Sequence, residues 1–300
     1  MIVPNLTELV ALRGAVRGLS LTVRRPALAR LQGGHCSAQR GRGLEFEEVR
    51  LYAPGDDARN IDWRVTARRG RPHTKLFREE RERPVWLVAD LHPGLFFGSR
   101  RQLKSAALLR TAALLAWTAA LGGDRVGAVI ADGNTEPRIY PPRGREKGVL
   151  PVLDALVTAQ PLEPGLPSPD GLIAAVGMLL PLLKPGSLAL LLSDFSGLDQ
   201  ATEGRLARAT VHSDVRLFWI TDPIESKGLP EGSYRVGLPG RQWWIDGHRS
   251  RIPWRELWQT HEQHLTAMAD RLGLPLNRLS THETALETLA VLLKKPSGTL

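Results

Sequence analysis

The sequence has little of what would mark a disulfide-bonded or membrane-spanning protein. Cys36 is the one cysteine among 300 residues, which excludes a disulfide framework and a metal site built on several cysteines. A transmembrane helix needs about 20 consecutive apolar residues, and the best candidate, Leu172–Leu183, is shorter and contains Gly177 and Pro181. The first residues lack the basic start and long apolar core of a secretory signal. We therefore expect a cytoplasmic protein without a transmembrane segment.

Motifs for nucleotide binding and for common hydrolases are also missing. The glycines at 41–43 and 122–123 are not followed by Gly-Lys-Ser/Thr or by a dinucleotide-binding fingerprint. Neither a Gly-x-Ser-x-Gly elbow nor a His-Glu-x-x-His motif occurs. His35 and Cys36 are neighbours in sequence, whereas a nucleophile and its base meet in space. The motifs therefore predict none of these enzyme classes.

Negative charge is scarce in the first part of the chain. Residues 1–83 hold 17 Lys and Arg against 10 Asp and Glu, so most of the net charge of +9 belongs there. Such a surplus suits an acidic protein partner, nucleic acid or an anionic membrane face. No aromatic-interleaved RNA motif or zinc-finger spacing accompanies it, so binding to nucleic acid is the less favoured of these hypotheses.

The hydrophobic fraction of 42% and the charged fraction of 24% are those of a globular protein. Residues 5–18 suggest a short amphipathic helix, and residues 19–43 a loop. From Pro84 onward apolar strands alternate with helices, which predicts a parallel sheet covered on both faces. We place the domains at 1–83 and 84–300, with an inserted β-hairpin at about 225–250. The predicted strands are Val85–Asp90, Arg125–Ala131, Pro137–Tyr140 (antiparallel, at the edge), Ser187–Ser193 (central), Asp214–Thr221 and Leu276–Leu279; the predicted helices are Gln102–Leu121, Lys147–Ala159, Gly171–Leu183, Ala201–His212, Trp254–Leu272 and Glu283–Lys294.

Residues 41–83 mix opposite charges with apolar and aromatic residues. Pro54-Gly55 predicts a tight turn. Asp56 and Asp57 can cap nearby backbone N–H groups or pair with Arg59 and Arg64. The favoured interpretation is a structural network of ion pairs in a small β-rich module. A catalytic group of carboxylates made by Asp56, Asp57, Asp62 and Asp90 is the alternative.

This stretch, continued to Asp90, resembles the signature block of the domain-of-unknown-function-58 family. The matching residues are Glu45-Phe46, Arg50, Tyr52, Pro54–Asp57, Arg59, Ile61–Trp63, Ala67-Arg68, Lys75, Phe77, Glu79–Arg81 and Asp90. The resemblance implies a von Willebrand A-like, doubly wound α/β domain after a small N-terminal β-rich module. It also implies a MoxR-type AAA+ ATPase as partner, in the assembly, maturation or metal insertion of another protein complex.

Carboxylates follow two strands that we expect to be neighbours, at Asp90 and Asp194. Von Willebrand A domains hold Mg²⁺ at this edge with an Asp-x-Ser-x-Ser loop, a Thr and a further Asp. Here His92 and Gly94 stand in place of the two serines, and Ser168 is the nearest candidate for the Thr. The resemblance thus implies a degenerate site of Asp90, His92, Ser168 and Asp194 for Mg²⁺ or another divalent cation, and imidazole favours zinc or manganese. The favoured interpretation of the residues themselves is that both acids only accept backbone hydrogen bonds at helix N-termini.

Trp243 and Trp244 are adjacent in the predicted hairpin, and neighbouring strand residues face opposite sides. One indole should therefore be on the surface, where it could anchor a partner; contact with the helices of its own domain is the alternative. The leading hypothesis is a non-enzymatic interaction protein; a metal-dependent hydrolase and a nucleic-acid-binding protein are the alternatives. The candidate signature and interaction residues are Glu45, Arg50, Asp56, Asp57, Arg59, Asp62, Trp63, Arg68, Trp243 and Trp244.

Overall fold

A computed structural model describes residues 3–21, 44–53, 56–79, 82–133, 135–238 and 241–293. Its strands are β1 (Leu44–Leu51), β2 (His73–Glu79), β3 (Pro84–Asp90), β4 (Arg125–Ala131), β5 (Arg138–Gly144), β6 (Leu188–Ser193), β7 (Asp214–Thr221), β8 (Ser233–Leu238), β9 (Arg241–Asp246) and β10 (Leu276–Ser280). Its α-helices are α1 (Leu6–Ala11), α2 (Trp63–Arg69), α3 (Lys104–Leu121), α4 (Glu146–Ala159), α5 (Pro169–Leu179), α6 (Gln200–Ala209), α7 (Pro223–Lys227), α8 (Gly247–Leu272) and α9 (Ala285–Leu292). Short 3₁₀ segments are Leu12–Val16, Ala58–Asn60, Pro93–Leu95 and Leu180–Leu182.

The chain forms two compact units, residues 33–82 and residues 1–32 with 83–300. The larger unit is built on a six-stranded sheet in the order β10-β7-β6-β3-β4-β5. All neighbouring strands are parallel except β5, which runs antiparallel to β4 at the edge. This confirms the predicted doubly wound α/β fold with its antiparallel edge strand, and the topology is von Willebrand A-like.

Helices cover both faces of this sheet because its strands are apolar on both sides. Alternate residues of β3 enter different cores: Leu87 packs with α3 and α4, and Val88 packs with α5, α6 and α8. Every residue of β6 is buried, as expected of a central strand. The carboxyl ends of β3, β6 and β7 are therefore held at one edge by a core on each face.

Helix α1 belongs to the larger unit, which corrects its assignment to a domain of residues 1–83. Leu9 is fully buried in the core beside α3. The indole N–H of Trp117 donates to the carbonyl of Leu9 at 3.1 Å, and Arg110 pairs with Glu8 at 2.6 Å. The predicted helix 5–18 is α-helical only to Ala11 and then tightens into a 3₁₀ turn.

The smaller unit pairs β1 with β2 antiparallel, with an irregularity between Phe46 and Glu48. It also contains α2, a helix that the charge pattern did not predict. Asp62 caps its first turn by accepting from the backbone N–H groups of Arg64 and Val65, and Gly70 ends it with a left-handed φ of 68°.

Helix α8 begins at Gly247, seven residues before its predicted start. Asp246 caps it through the N–H of Arg249 at 2.9 Å, and Pro253 lies inside the helix and not before it. The predicted hairpin therefore ends at Asp246, and it forms a separate two-stranded sheet.

Some predictions concern positions outside the described residues: the turns at 54–55 and 239–240, the pair His35-Cys36 and most of the loop 19–43. Within the described ranges, none of the helices combines the length and apolar character that a membrane crossing requires.

Candidate functional site

The candidate site lies at the carboxyl ends of β3 and β6. These strands are parallel neighbours, with Ala89 opposite Leu192, which confirms that Asp90 and Asp194 end adjacent strands. Asp90, His92 and Asp194 are 1%, 1% and 8% exposed. The sequence therefore brings three of its four predicted metal residues into one buried group.

Asp90 accepts a hydrogen bond from a side chain of the neighbouring strand β6, and not from a helix N-terminus. The hydroxyl of Ser193 donates to Asp90 Oδ2 at 2.7 Å and accepts from the N–H of Phe195 at 2.8 Å. Among the described residues, nothing donates a hydrogen bond to Asp90 Oδ1. Burial raises the pKa of Asp90 to about 6, although His92 and the Ser193 hydrogen bond oppose it.

The side chain of Asp194 accepts from three donors. Lys104 Nζ lies 2.8 Å from its Oδ2, while His92 Nε2 and the N–H of Ser196 lie 3.2 and 3.0 Å from its Oδ1. Burial alone would raise the pKa of Asp194, but Lys104 and His92 outweigh it and hold that pKa well below its usual range. Asp194 is thus an ionised carboxylate inside the protein.

Lys104 is the site residue that the sequence did not reveal, since it lies within the predicted helix Gln102–Leu121 without a motif of its own. Its side chain is buried, and its ammonium bridges Asp194 and Glu225, the latter at 2.7 Å. Burial works to lower the pKa of Lys104, yet the two carboxylates raise it above its ordinary value. The available signal was a lysine two residues before the apolar segment Ala106–Leu109.

The ring of His92 accounts for one departure from the von Willebrand A motif, the glycine at position 94. A Cβ at Gly94 would come within 2.9 Å of that ring, so a serine there would clash with it. Gly133 has a left-handed φ of 75°, and a Cβ on it would approach both His92 and Ser168. Ser168 opens α5 and lies beside His92.

Whether a metal ion fits here depends on the ligand atoms that Asp90, His92 and Asp194 offer. One ligand atom from each of Asp90, His92 and Asp194 lies within 4.8 Å of the others. Two carboxylates and an imidazole suit zinc or manganese, whereas Mg²⁺ prefers oxygen ligands and keeps several waters. Lys104 already holds one oxygen of Asp194, and Ser193 one oxygen of Asp90. The residues therefore fit a borderline divalent cation and fit Mg²⁺ poorly.

A third acid follows the next strand, at Asp222 after β7. It is fully buried and accepts hydrogen bonds from Ser99, Thr281 and the N–H of Ile224. Burial acts to raise the pKa of Asp222, but hydrogen bonds, first those from Ser99 and Thr281, lower it. Ser99 thus ties the loop after β3 to the end of β7.

The carboxylates of the smaller unit have structural partners. Asp56 pairs with Arg50 at 2.7 Å and accepts from the N–H of Ala53 at 2.9 Å, so its partner is neither Arg59 nor Arg64. Those two contacts, the backbone one first, lower the pKa of Asp56.

The other signature residues of the unit are caps or surface groups. Asp57 caps a 3₁₀ turn, and its ion pair with the exposed Arg59 is long, at 3.9 Å. Asp62 caps α2 and lies 3.5 Å from Lys75. Trp63 and Arg68 are exposed. Glu45 lies on β1 opposite Arg78; its side chain is outside the described part of the structure.

Both hairpin indoles are exposed, whereas the alternation of side chains along a strand predicts that only one of them is. Trp243 is 50% and Trp244 74% exposed, because β8 and β9 form a sheet of their own.

The family model described as "Protein of unknown function DUF58" matches residues 48–264, more than half of the chain. The chain belongs to the DUF58 family. Uncharacterized proteins of Mycobacterium tuberculosis and Mycobacterium bovis are 34% identical to this DUF58 protein over 186 residues, or 62% of the chain and 58% of the relative. The chain thus spans less than two thirds of the length of these relatives.

Two solved structures are similar to this DUF58 protein. The conserved hypothetical protein BatB from Bacteroides thetaiotaomicron has a TM-score of 0.39 at 13% identity, covering 63% of this chain and 99% of that one. An aerotolerance-related membrane protein from Bacteroides fragilis has a TM-score of 0.45 at 10% identity, covering 70% and 96%.

Proposed function

We propose that this DUF58 protein is a non-enzymatic interaction protein that works with a MoxR-type AAA+ ATPase in the assembly or maturation of another protein complex. The observation that carries the proposal is the exposure of large apolar side chains where the hairpin leads into α8. Trp244 is 74% and Leu257 75% exposed. An exposed tryptophan buried in an interface is among the residues that supply most of the binding energy, and apolar neighbours such as leucine exclude water around it.

The strand-edge cluster supports a structural role. Asp90, His92 and Lys104 are almost completely buried, and the contacts of Asp194 are made by Lys104, His92 and Ser196. A hydrolase would need a nucleophile or a general base free of strong partners, whereas Asp194 and Glu225 are both paired with Lys104. The cluster instead fixes the loops after β3 and β6 in one arrangement, which suits a rigid partner-facing edge.

The carboxylates of the hydrolase alternative also favour structural roles. Asp57 and Asp62 cap helical turns, and Asp56 pairs with Arg50. For the basic surplus, the structure places Arg59, Arg64, Arg68, Arg69 and Arg71 on the surface of the smaller unit. An acidic face of the partner protein could meet these arginines.

The test uses the full chain and a purified MoxR-type AAA+ ATPase encoded by the same genome, with binding measured by calorimetry in the presence of ATP. Trp244→Ala is expected to weaken binding at least about 10-fold, since a central aromatic anchor is worth more than 1 kcal/mol. The matched control is Val291→Ala, which truncates an equally exposed apolar residue on α9 and should leave the affinity unchanged.

Absence of binding by the wild type would contradict the proposal. Phosphatase or nuclease activity that is lost in Asp90→Asn would favour the hydrolase alternative instead.

A further inference from the structure

A cavity of about 370 Å³ lies beside Asp194, between the end of β7 and helix α8. This size is typical of pockets that enclose a small ligand or one long side chain. The lining residues that matter here are Trp219, Trp254, Leu257, Trp258, Asp194 and Glu225.

One face of α8 supplies the aromatic wall. Trp254, Leu257, Trp258 and His261 are spaced i, i+3, i+4 and i+7, so they share one side of the helix. Leu257 is 75% exposed and marks the mouth, whereas Trp219 is 3% exposed and marks the base. Trp219 and Trp258 stack with ring centroids 5.1 Å apart. The cavity therefore passes from an apolar mouth to an interior of indole rings.

The charge at the base of the cavity is negative. Asp194 and Glu225 line it together with a single ammonium, that of Lys104, which already bonds to both carboxylates. Behind Asp194 lie the carboxyl of Asp90 and the imidazole of His92, one acid and one base. An entering anion would face this negative balance, whereas an entering cation would be attracted by it.

The indoles already hold one cation of the protein itself. The guanidinium carbon of Arg278 lies 5.0 Å from the ring centroid of Trp219 and 5.2 Å from that of Trp258. Arg278 is not among the lining residues, and Glu262 pairs with it at 2.9 Å. The same two rings thus stabilise a positive charge beside the cavity, as expected of aromatic faces.

We propose that this cavity binds an alkylammonium or guanidinium group, presented as a lysine or arginine side chain of a protein partner. The inference rests on the proposed interaction function and names the chemistry that the partner must offer. The aliphatic stem of such a side chain would lie along Leu257, Trp254 and Trp258, and its charged end would reach Asp194 and Glu225. A free small amine offers the charge but lacks the chain that continues past the apolar mouth.

Binding can be measured with small probes on the full chain, by NMR of the indole N–H groups. The cationic probes are N-acetyl-lysine methylamide and N-acetyl-arginine methylamide; the uncharged probe N-acetyl-norleucine methylamide has a similar stem, and N-acetyl-glutamate methylamide is the anionic one. The cationic probes are expected to bind at least about 10-fold more tightly than the other two. n-Butylammonium and putrescine test the free-amine source and should bind more weakly than the lysine probe.

A pair of variants at the exposed Leu257 avoids disturbing the fold. Leu257→Lys should weaken binding of the lysine probe by about 3-fold and Leu257→Glu should strengthen it, because one unit charge is added at the mouth. The matched controls are Val291→Lys and Val291→Glu, which make the same changes at an exposed residue of α9 and should have no effect.

Equal binding of the norleucine or glutamate probe would overturn the proposal, as would lysine binding that responds identically to both Leu257 variants. Tighter binding of putrescine than of the lysine probe would overturn the assignment to a protein side chain. Failure of every cationic probe while Trp244-dependent binding of the ATPase persists would remove the cavity proposal alone. Probe binding without ATPase binding would instead remove the proposed function.

Discussion

The ammonium of Lys104 determines the electrostatics of the strand-edge cluster. It occupies the position of a counter-ion to Asp194, 2.8 Å from the carboxylate and almost completely buried. Von Willebrand A domains neutralise the corresponding acid with a metal ion, whereas this chain carries a covalently attached cation. A divalent ion at Asp90, His92 and Asp194 would have to share the carboxylates with it.

Replacement of Lys104 by methionine is expected to lower the free energy of unfolding by about 3–5 kcal/mol, because it leaves the buried Asp194 without its cation. Urea unfolding followed by tryptophan fluorescence would measure this. Added Zn²⁺ or Mn²⁺ should restore part of the loss in Lys104→Met, since the free carboxylates could then bind the ion.

Lys147→Met is the control, because Lys147 is an exposed residue of α4, and it should change stability by less than about 0.5 kcal/mol. A similarly small effect of Lys104→Met would mean that the ammonium does not stabilise the buried negative charge of Asp194.

The members of this cluster differed in how far the sequence could predict them. Asp90 and Asp194 were predictable, since an acid directly after an apolar parallel strand must lie at the sheet edge. Lys104 meets Asp194 across 90 positions of chain, and nothing in its local pattern points there. Its contact depends on how α3 packs on the sheet, which periodicity does not determine.

At the scale of elements, buried strands were predicted best. The bounds of β4 and β7 coincide with the predicted ranges, because a parallel strand with both faces covered is a continuous apolar segment. Helix α2 was missed, since its Arg64, Arg68 and Arg69 give no apolar stripe, and only its cap Asp62 and the terminal Gly70 mark it. The residues at its two ends thus mark helix α2, whereas amphipathic periodicity does not reveal it.

Helix α1 provides a test at this scale, because its assignment changed from one unit to the other. Leu9→Ala is expected to lower the free energy of unfolding of the larger unit by about 2–5 kcal/mol, the range for removing a fully buried leucine side chain. Thr7→Ala, at an exposed position of the same helix, is the control and should have little effect. Unchanged stability of Leu9→Ala in urea unfolding would show that α1 contributes nothing to that core.

At the scale of the molecule, the sequence predicted a change of architecture near residue 83 but not that residues 1–32 join the later unit. An amphipathic stripe shows that a helix packs, not which surface it packs against. The net charge of +9 also acts at this scale, because it sets the rate of encounter with a charged partner.

The double variant Arg64→Glu/Arg68→Glu reverses two exposed charges one turn apart on α2. Its association rate with the purified ATPase at low salt should fall by about 10-fold, and the wild-type rate should fall as salt is added. Stopped-flow measurements over a range of NaCl concentrations would determine both.

The control Arg64→Lys/Arg68→Lys keeps the charge and should keep the rate. An association rate that changes neither with salt nor with the charge of residues 64 and 68 would contradict electrostatic attraction of the partner. Loss of binding to nucleic acid in the glutamate variant, with ATPase binding intact, would assign the arginines to nucleic acid.

The backbone N–H of Ser20 donates to the carbonyl of Leu293 at 3.1 Å, so the segment after α1 meets the residue that follows α9. Leu21 and Leu293 are also buried in the same core. A ribosome adds roughly 5–20 residues per second, so Leu293 is synthesised roughly 15 seconds to a minute after Leu21. Throughout that interval Leu21 has no Leu293 to pack against, and the nascent chain can complete this part of the core only after Leu293 has been synthesised.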